Sequence, residues 1–326
     1  MSQTQLFIIG TGRSGTTILR KILGLHSRIY VYSHELRFIA DTNGLTDLAT
    51  DLTVNWNPFN ASKAIDEFCS LMHTYLWKEP PHHTLLSAFY YLILRGAGRK
   101  YRFVDFSRDV PVSHLQSVLD KLVEEITVDR FVGHWYGTDS YTARPHLHVT
   151  QRFQESELYP ILGQFIDDLL SYPLKGTPKK VWCDDTPINI MQAHRIAKML
   201  GSARMIHLYR DPRDVVASYA DSRQAWAPND PELSAIWVRE IIEHWFQVRK
   251  LIPDHQYMEV KYEDMVGGQK EYIGNILDFV GCEYDEGVED INLKDESVGR
   301  YKNEMSREEI DKVNNIVGPI LDEYYK

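Results

Sequence analysis

The sequence has few of the residues that build disulfide frameworks and structural zinc sites. Its 326 residues include only three cysteines, Cys69, Cys183 and Cys282, and these form no C-x-x-C pair. This spacing excludes a zinc ribbon and a disulfide scaffold. Because unpaired cysteines are typical of reducing compartments, we expect a cytoplasmic location.

Long apolar runs and an excess of positive charge are also missing. No stretch approaches the roughly 20 apolar residues that cross a bilayer. The first five residues, MSQTQ, are too short and polar for a signal peptide. We therefore expect a soluble chain with no transmembrane segment. The formal net charge of -10 argues against nucleic acid as a partner, and the sequence does not indicate an oligomeric state.

What the sequence does contain is a series of short apolar runs that alternate with helical patterns. With 43% hydrophobic residues in total, the chain can bury a substantial core. Runs of this length and content are typical of buried strands, and they lie at residues 6–9, 29–32, 180–183, 205–209 and 257–262. Strands that alternate with helices predict an α/β fold with a parallel sheet covered by helices on both faces. We expect a single domain over residues 1–326.

Residues 41–175 have a different composition, rich in aromatic residues, histidine and turn residues. Helical stretches at 64–77 and 117–126 predict a mostly helical insertion that packs over the sheet and binds the acceptor. Aromatic side chains there could stack on a sugar or an aromatic ring, although core packing explains most of them: Trp56, Trp77, Tyr90, Tyr91, Trp135 and Tyr136. His146 and His148 would share one face of a strand, but no third ligand has suitable spacing, so we expect no metal.

The first apolar run ends in a glycine-rich turn, G-T-G-R-S-G-T-T, at residues 10–17. Such a turn points main-chain N–H groups inward at a helix N-terminus, where they bind a phosphate-like anion. The spacing G-x-x-x-x-G matches a nucleotide-binding P-loop, but Thr16 replaces the lysine that ATP and GTP hydrolysis require. A sulfonyl group carries less charge than a terminal phosphoryl group, so Arg13 alone can serve it. The predicted anion contacts are Gly12, Arg13, Ser14, Gly15, Thr16 and Thr17.

A second motif, L-Y-R-D-P-R-D-V-V-A-S-Y, covers residues 208–219. Here Arg210 ends a predicted strand, and Ser218 follows eight residues later on a predicted helix that Asp211 caps and Pro212 begins. The arginine can hold a phosphate with two parallel hydrogen bonds, and the serine adds a hydroxyl group. Two separate phosphate sites suit a nucleotide that is phosphorylated at both ends. A capped helix start with surface ion pairs is the simpler structural alternative.

Together the two motifs resemble those of sulfotransferases that use PAPS, 3′-phosphoadenosine 5′-phosphosulfate. The first is similar to the family's 5′-phosphosulfate loop and the second to its 3′-phosphate motif. With arginine in the loop, the resemblance is closest to the carbohydrate and tyrosylprotein branches, and it suggests a soluble, bacterial-type member. It implies a P-loop-type fold, PAPS as co-substrate and no metal. The implied acceptor is a hydroxyl or amine of a small molecule, lipid or carbohydrate.

Two later segments resemble the family more weakly. Residues 260–281 are similar to a strand-to-helix segment whose tyrosine touches the adenine in some members, which makes Tyr262 a candidate contact or a core residue. Residues 297–310 are similar to the segment that closes over the nucleotide, with Arg300 or Lys302 as phosphate contacts. The arginine-lysine-glycine triplet of the cytosolic branch is absent upstream.

The resemblance also suggests a general base. Glu35, in V-Y-S-H-E-L-R-F, occupies the place of the glutamate base in the tyrosylprotein and heparan branches, with Arg37 completing an E-x-R pattern. We predict that Glu35 takes the acceptor proton, that Arg13 stabilises the leaving phosphate and that His34 is the reserve base. One departure stands out, because many relatives have a lysine where this sequence has Asp185.

Two other functional classes are compatible with these motifs. A P-loop kinase with a degenerate loop would need Mg²⁺ and ATP, but it has no use for the pair Arg210 and Ser218. A non-catalytic protein that binds PAP, the desulfonated nucleotide, would keep both phosphate sites and lose nothing when Glu35 is replaced.

Overall fold

The computed structural model describes residues 4–74, 106–133, 146–221, 227–293 and 297–324. Its strands are β1 (Thr4–Ile9), β2 (Ile29–Val31), β3 (Asp129–Val132), β4 (His146–Val149), β5 (Val181–Asp184), β6 (Arg204–Tyr209) and β7 (Tyr257–Lys261). Five of them form a parallel sheet in the order β2-β5-β1-β6-β7. The predicted strands and their parallel arrangement are confirmed. The last strand is one residue shorter than predicted, because Tyr262 begins a helix.

The α-helices that surround the sheet alternate with its strands. They are α1 (Thr16–Gly24), α2 (Leu45–Leu52), α3 (Pro58–Thr74), α4 (Val112–Ile126), α5 (Glu155–Leu170), α6 (Ala193–Met199), α7 (Pro212–Asp221), α8 (Pro231–Val248), α9 (Tyr262–Gly267), α10 (Gln269–Val280), α11 (Tyr301–Glu304) and α12 (Arg307–Tyr324). Short 3₁₀ turns lie at Phe106–Arg108, Tyr172–Leu174, Pro187–Gln192, Arg249–Leu251, Asp254–Gln256 and Glu286–Asp290. Within the described residues no helix is long and apolar enough to cross a membrane.

Alternate residues of the central strand β1 face two separate apolar cores. Leu6 and Ile8 pack with α1 and α10, whose buried side chains recur at helical spacing. Phe7 and Ile9 face the other core, which helices α2 to α8 and α12 complete. Both faces of the sheet are therefore covered, which is why its strands read as continuous apolar runs rather than as an alternating pattern.

The insertion predicted at 41–175 is helical over most of its described residues, with α2, α3, α4 and α5 packed into the larger core. It also contains an antiparallel pair of strands, β3 and β4, that the helical prediction did not include. Trp56 is half-buried against the core and donates to Thr150 Oγ1 at 3.1 Å, so core packing explains it. The other aromatic candidates lie outside the described residues: Trp77, Tyr90, Tyr91, Trp135 and Tyr136.

The carboxyl ends of the five parallel strands meet at one edge of the sheet, where α/β proteins bind ligands. Along this edge the chain leaves β2 into residues 32–44, β5 into Asp185, β1 into the glycine-rich turn, β6 into Arg210 and β7 into Tyr262. Every strand thus delivers one of the sequence-predicted segments to the same edge. The strand order places Asp185 between Glu35 and the turn.

Candidate functional site

The turn at residues 10–15, here called the anion loop, has a left-handed backbone at three positions. The φ angles are 76° at Gly12, 55° at Arg13 and 101° at Gly15. Successive residues of opposite backbone hand turn their N–H groups toward one side, which makes a concave nest for an anion. The N-terminus of α1 begins directly after it, and the N–H groups of a first helical turn have no carbonyl partner within their own helix.

Close packing holds the anion loop in this shape. A Cβ atom on Gly15 would lie 2.6 Å from Cδ2 of Tyr262, and one on Gly10 would lie 2.6 Å from Oγ of Ser14. Tyr219 donates a 2.5 Å hydrogen bond from its buried hydroxyl to the carbonyl of Thr11. The hydroxyl of Ser14 is fully buried and has no partner among the described residues. A buried donor of this kind is satisfied when a ligand oxygen enters the nest.

Arg210 links the anion loop to the end of β6. Its side chain is only 7% exposed, and its Nη1 donates to the carbonyl of Arg13 at 3.3 Å. The guanidinium carbon lies 5.0 Å from the centre of the Tyr262 ring. Its Nε is buried without a hydrogen-bond partner in the part of the chain that the structure describes. A buried, ring-stacked guanidinium with a donor to spare is well suited to hold a phosphate.

The loop arginine reaches the second motif directly. Arg13 Nε donates to Oγ of Ser218 at 3.0 Å, although these residues are 205 positions apart. Ser218 is buried on α7, whose start is capped by Asp211 as predicted, with the Arg213 N–H bound to its carboxylate at 2.9 Å. Contacts from Arg13 and Arg210 therefore join the two sequence motifs into one continuous site.

The chain returns to this site at residues 297–301, here called the strap. Arg210 Nη2 donates to the carbonyl of Ser297, and the Ser297 hydroxyl lies 2.9 Å from the hydroxyl of Tyr262. Of the two predicted contacts in this region, Arg300 pairs with Glu304 at 2.7 Å. Lys302 is exposed, with its Nζ 5.8 Å from the centre of the Tyr301 ring. The strap residue that meets Arg210 is therefore Ser297.

Glu35 and His34 lie at the β2 end of the same edge. Glu35 is half-buried, and its Oε2 is 3.6 Å from Nη1 of Arg37, which also binds Asp41 through hydrogen bonds as short as 2.7 Å. His34 is exposed. A partly buried carboxylate can both meet a substrate and keep a defined position, which an exposed imidazole cannot do as well.

Asp184 fixes the segment that carries Glu35. This carboxylate is fully buried at the end of β5 and accepts hydrogen bonds from the N–H of Leu36 at 3.2 Å and from Asn189 Nδ2 at 2.9 Å. It also accepts from the hydroxyl of Thr186 at 2.7 Å. Burial raises the pKa of Asp184 to about 7. Asp184 thereby connects the end of β5 to the backbone next to Glu35.

Asp185, at the position where the resemblance leads us to expect a lysine, has a partner that the sequence did not suggest. Arg20 reaches it from α1, with its Nε 3.1 Å from Asp185 Oδ2, while Arg20 Nη1 donates to the carbonyl of Tyr32 at 2.7 Å. Burial, opposed by Arg20 and reinforced by the charge of Glu35, raises the pKa of Asp185 to about 7. The end of β5 thus carries an arginine-aspartate pair whose cation comes from α1.

The histidines considered as a metal pair lie on β4, so the segment is a strand, and His148 Nε2 is 3.1 Å from Oδ1 of Asp66. Among the described residues no group of three or more side chains could hold a metal ion. Three contributors to the site described so far were not predicted from the sequence: Arg20, Asp184 and Ser297. Asp184 and Ser297 had a signal only by position, since Asp184 precedes Asp185 and Ser297 begins the segment 297–310, and Arg20 had none.

Comparison with known proteins supplies independent information. The model of the Sulfotransferase family matches residues 5–286. No curated protein sequence matches the chain. Among solved structures, the sulfotransferase domain of the Synechococcus PCC 7002 olefin synthase superposes with a TM-score of 0.50 at 15% identity, covering 96% of this chain and 94% of that one. A sulfotransferase from Mycobacterium avium gives a TM-score of 0.45 at 13% identity, covering 99% and 77% respectively.

Proposed function

The chain belongs to the sulfotransferase family, and from that premise we propose that it transfers a sulfonyl group from PAPS to an acceptor. The acceptor group is a hydroxyl or an amine of a small molecule, a lipid or a carbohydrate. The whole chain acts as one domain, and residues 41–175 contribute the acceptor-binding insertion. The likeness to the carbohydrate and tyrosylprotein branches stays a prediction.

One observation carries the proposal. The anion loop and the second motif meet through the contacts Arg210 Nη1 to Arg13 carbonyl and Arg13 Nε to Ser218 Oγ. A nucleotide with a phosphosulfate at its 5′ end and a phosphate at its 3′ end needs two anion sites within the length of one nucleoside. ATP carries all its phosphates at the 5′ position, so it would leave the second anion site empty.

The residues present fit such a nucleotide. The buried hydroxyl of Ser14 and the buried Nε of Arg210 are donors without partners among the described residues, one in each anion site. The anion loop has no room for a Cβ atom on Gly15, because Tyr262 packs directly against it. In the proposed complex, the 5′-phosphosulfate lies on the anion loop with Thr16 and Thr17, the 3′-phosphate on Arg210 and Ser218, and the adenine against Tyr262.

The reaction is an in-line displacement at sulfur. Glu35 accepts the proton of the acceptor group, whose oxygen or nitrogen forms the new bond to sulfur while the bond from sulfur to the 5′-phosphate oxygen breaks. The departing electron pair remains on the phosphate of PAP, where the loop N–H groups and Arg13 stabilise it. His34 is the alternative base. Because the sulfonyl group is not a polyanion, the step requires neither the P-loop lysine nor Mg²⁺.

Ligand-induced thermal stabilisation tests the donor half of the proposal. We expect PAP to raise the melting temperature strongly and ATP only weakly, with no further change on adding Mg²⁺, because at equal concentration the ligand that binds the native state more tightly stabilises it more. Stabilisation by ATP with Mg²⁺ that equals the effect of PAP would favour a degenerate P-loop kinase instead.

An alanine variant tests the assignment of the 3′-phosphate site. Arg210→Ala should weaken PAP binding by about 100-fold, since a charge-assisted pair of hydrogen bonds to phosphate is lost.

A turnover assay of the wild-type chain tests the third class. PAP binding without any sulfonyl transfer, across a panel of phenols, sugars and lipid alcohols supplied with PAPS, would favour the non-catalytic binding protein.

A further inference from the structure

Asp214 is a buried carboxylate that the reaction described above does not use. It lies in the first turn of α7, four residues after Arg210, and is fully buried. Its Oδ2 accepts the N–H of Gly299 at 2.7 Å and its Oδ1 accepts the N–H of Tyr301 at 3.1 Å. Both donors belong to the strap, which is about 85 positions further along the chain.

The same carboxylate also faces the phosphate-binding arginine. Asp214 Oδ2 lies 3.6 Å from Nη2 of Arg210, and that nitrogen donates to the carbonyl of Ser297 at the front of the strap. Burying a carboxylate is costly, and here two main-chain N–H groups and one guanidinium offset the cost. Asp214 therefore orients Arg210 and anchors the strap at the same time.

We propose that Asp214 is a positioning residue that makes the site selective for nucleotides with a 3′-phosphate. This inference rests on the proposed function, because it assumes that Arg210 receives that phosphate. The phosphate binds a guanidinium that Asp214 and the Tyr262 ring already orient, next to a strap that Asp214 anchors. A nucleotide that carries only a 5′-phosphate engages the anion loop and is indifferent to Asp214.

An isosteric substitution separates the effect of the Asp214 charge from that of the side-chain shape. Asp214→Asn keeps one carbonyl oxygen and the side-chain shape, but it removes the charge that faces Arg210 and replaces one strap acceptor with an N–H₂ group. Since hydrogen bonds to charged groups are worth more than neutral ones, we expect PAP to bind about 10-fold more weakly. The affinity for AMP, which lacks the 3′-phosphate, should change less than about 2-fold.

The experiment is calorimetric titration of the full chain with PAP and with AMP. Asp211→Asn is the matched control, because Asp211 caps the same helix and binds Arg213 rather than Arg210. In that variant both affinities should stay within about 2-fold of the wild type, as asparagine is an equally good N-cap. An equal loss for PAP and AMP in Asp214→Asn, or no loss for either, would overturn the role of Asp214.

A second variant covers the case in which Asp214→Asn fails to fold. Gly299→Pro leaves the carboxylate in place but removes one N–H that binds it, and proline cannot adopt the φ of 72° found at Gly299. It should reproduce the loss that is specific to PAP, and unchanged PAP binding would contradict the proposal. If the wild type itself binds PAP no better than AMP, the proposed function fails rather than the role of Asp214.

Discussion

The two halves of the candidate site are built in different ways. On the donor side, the anion loop is defined by backbone shape: it consists of three left-handed residues, a helix N-terminus and a glycine packed against Tyr262. On the acceptor side, buried charges dominate, with Asp185 paired to Arg20 and coupled to Glu35. Backbone shape is encoded by adjacent residues, whereas a charge balance is assembled from several elements. The anion loop should therefore respond mainly to steric change and the acceptor half to changes in charge, while the buried pair Arg210 and Asp214 makes the rest of the donor side sensitive to charge as well.

The largest expected effect is on the acceptor side. Glu35→Gln keeps the size of the side chain but removes the base, so kcat should fall by about 1000-fold while PAP affinity stays the same. The measurement is PAP release from PAPS with an accepted substrate, alongside PAP titration.

His34→Gln is the matched control for this variant, because it alters the exposed neighbour of Glu35. It should change kcat by less than about 3-fold if Glu35 is the base. Sustained turnover in Glu35→Gln, combined with a large loss in His34→Gln, would transfer the base role to His34.

The next effect tests the steric character of the donor side. Gly15→Ala introduces a Cβ atom 2.6 Å from the Tyr262 ring at a φ of 101°, so the free energy of unfolding should fall by about 3 kcal/mol and PAP binding should weaken. Gly176→Ala is the control, since Gly176 also has a positive φ, 73°, but nothing lies within 4 Å of its Cβ position.

The control should lose only about 1 kcal/mol, the cost of the backbone conformation alone. Urea denaturation measures the free energy of unfolding of both variants. Equal losses in the two would mean that contact with Tyr262 adds nothing to the shape of the anion loop.

A smaller effect concerns the charge balance on the acceptor side. The pKa of Asp185 is about 7 in the folded chain and near 4 when unfolded. Between about pH 4 and pH 7 the Asp185 carboxyl is protonated in the folded chain and ionised in the unfolded chain. Its contribution to the free energy of unfolding therefore falls as the pH rises from about 4 to 7. Asp185→Asn removes the titration while Asp184 continues to titrate in both proteins.

Relative to Asp185→Asn, the wild type should therefore lose about 2 kcal/mol of unfolding free energy between pH 5 and pH 7. Denaturant titrations at the two pH values give this difference. If the unfolding free energies of the wild type and Asp185→Asn differ by the same amount at both pH values, Asp185 stays ionised over the whole interval because Arg20 stabilises its charge.

The smallest effect distinguishes strap residues that meet the donor from those that do not. Arg300 pairs with Glu304, so Arg300→Gln should change PAP affinity by less than about 3-fold, as expected for a partly exposed ion pair. A loss above 10-fold would restore Arg300 as a phosphate contact and would show that the strap rearranges when the nucleotide binds.

The sequence was informative where function depends on consecutive residues. The apolar runs predicted the sheet, and the glycine spacing predicted a turn at residues 10–17, of which the structure confirms residues 10–15 and begins α1 at Thr16. It was not informative where a side chain meets a partner from a distant element. Nothing near Arg20 indicates that it faces Asp185, and nothing near Ser297 indicates that Arg210 binds its carbonyl. The β3-β4 pair was not predicted, although a possible strand was considered at His146 and His148, because all four residues of β3 are exposed and form no buried apolar run.

The most direct test of the account is a crystal structure of the chain with PAP. We predict one nucleotide whose 5′-phosphate lies within hydrogen-bonding distance of the main-chain N–H groups of residues 12–17, and whose 3′-phosphate contacts both Arg210 and Ser218. A nucleotide bound with its 3′-phosphate away from Arg210, or bound outside the carboxyl edge of the sheet, would contradict the account.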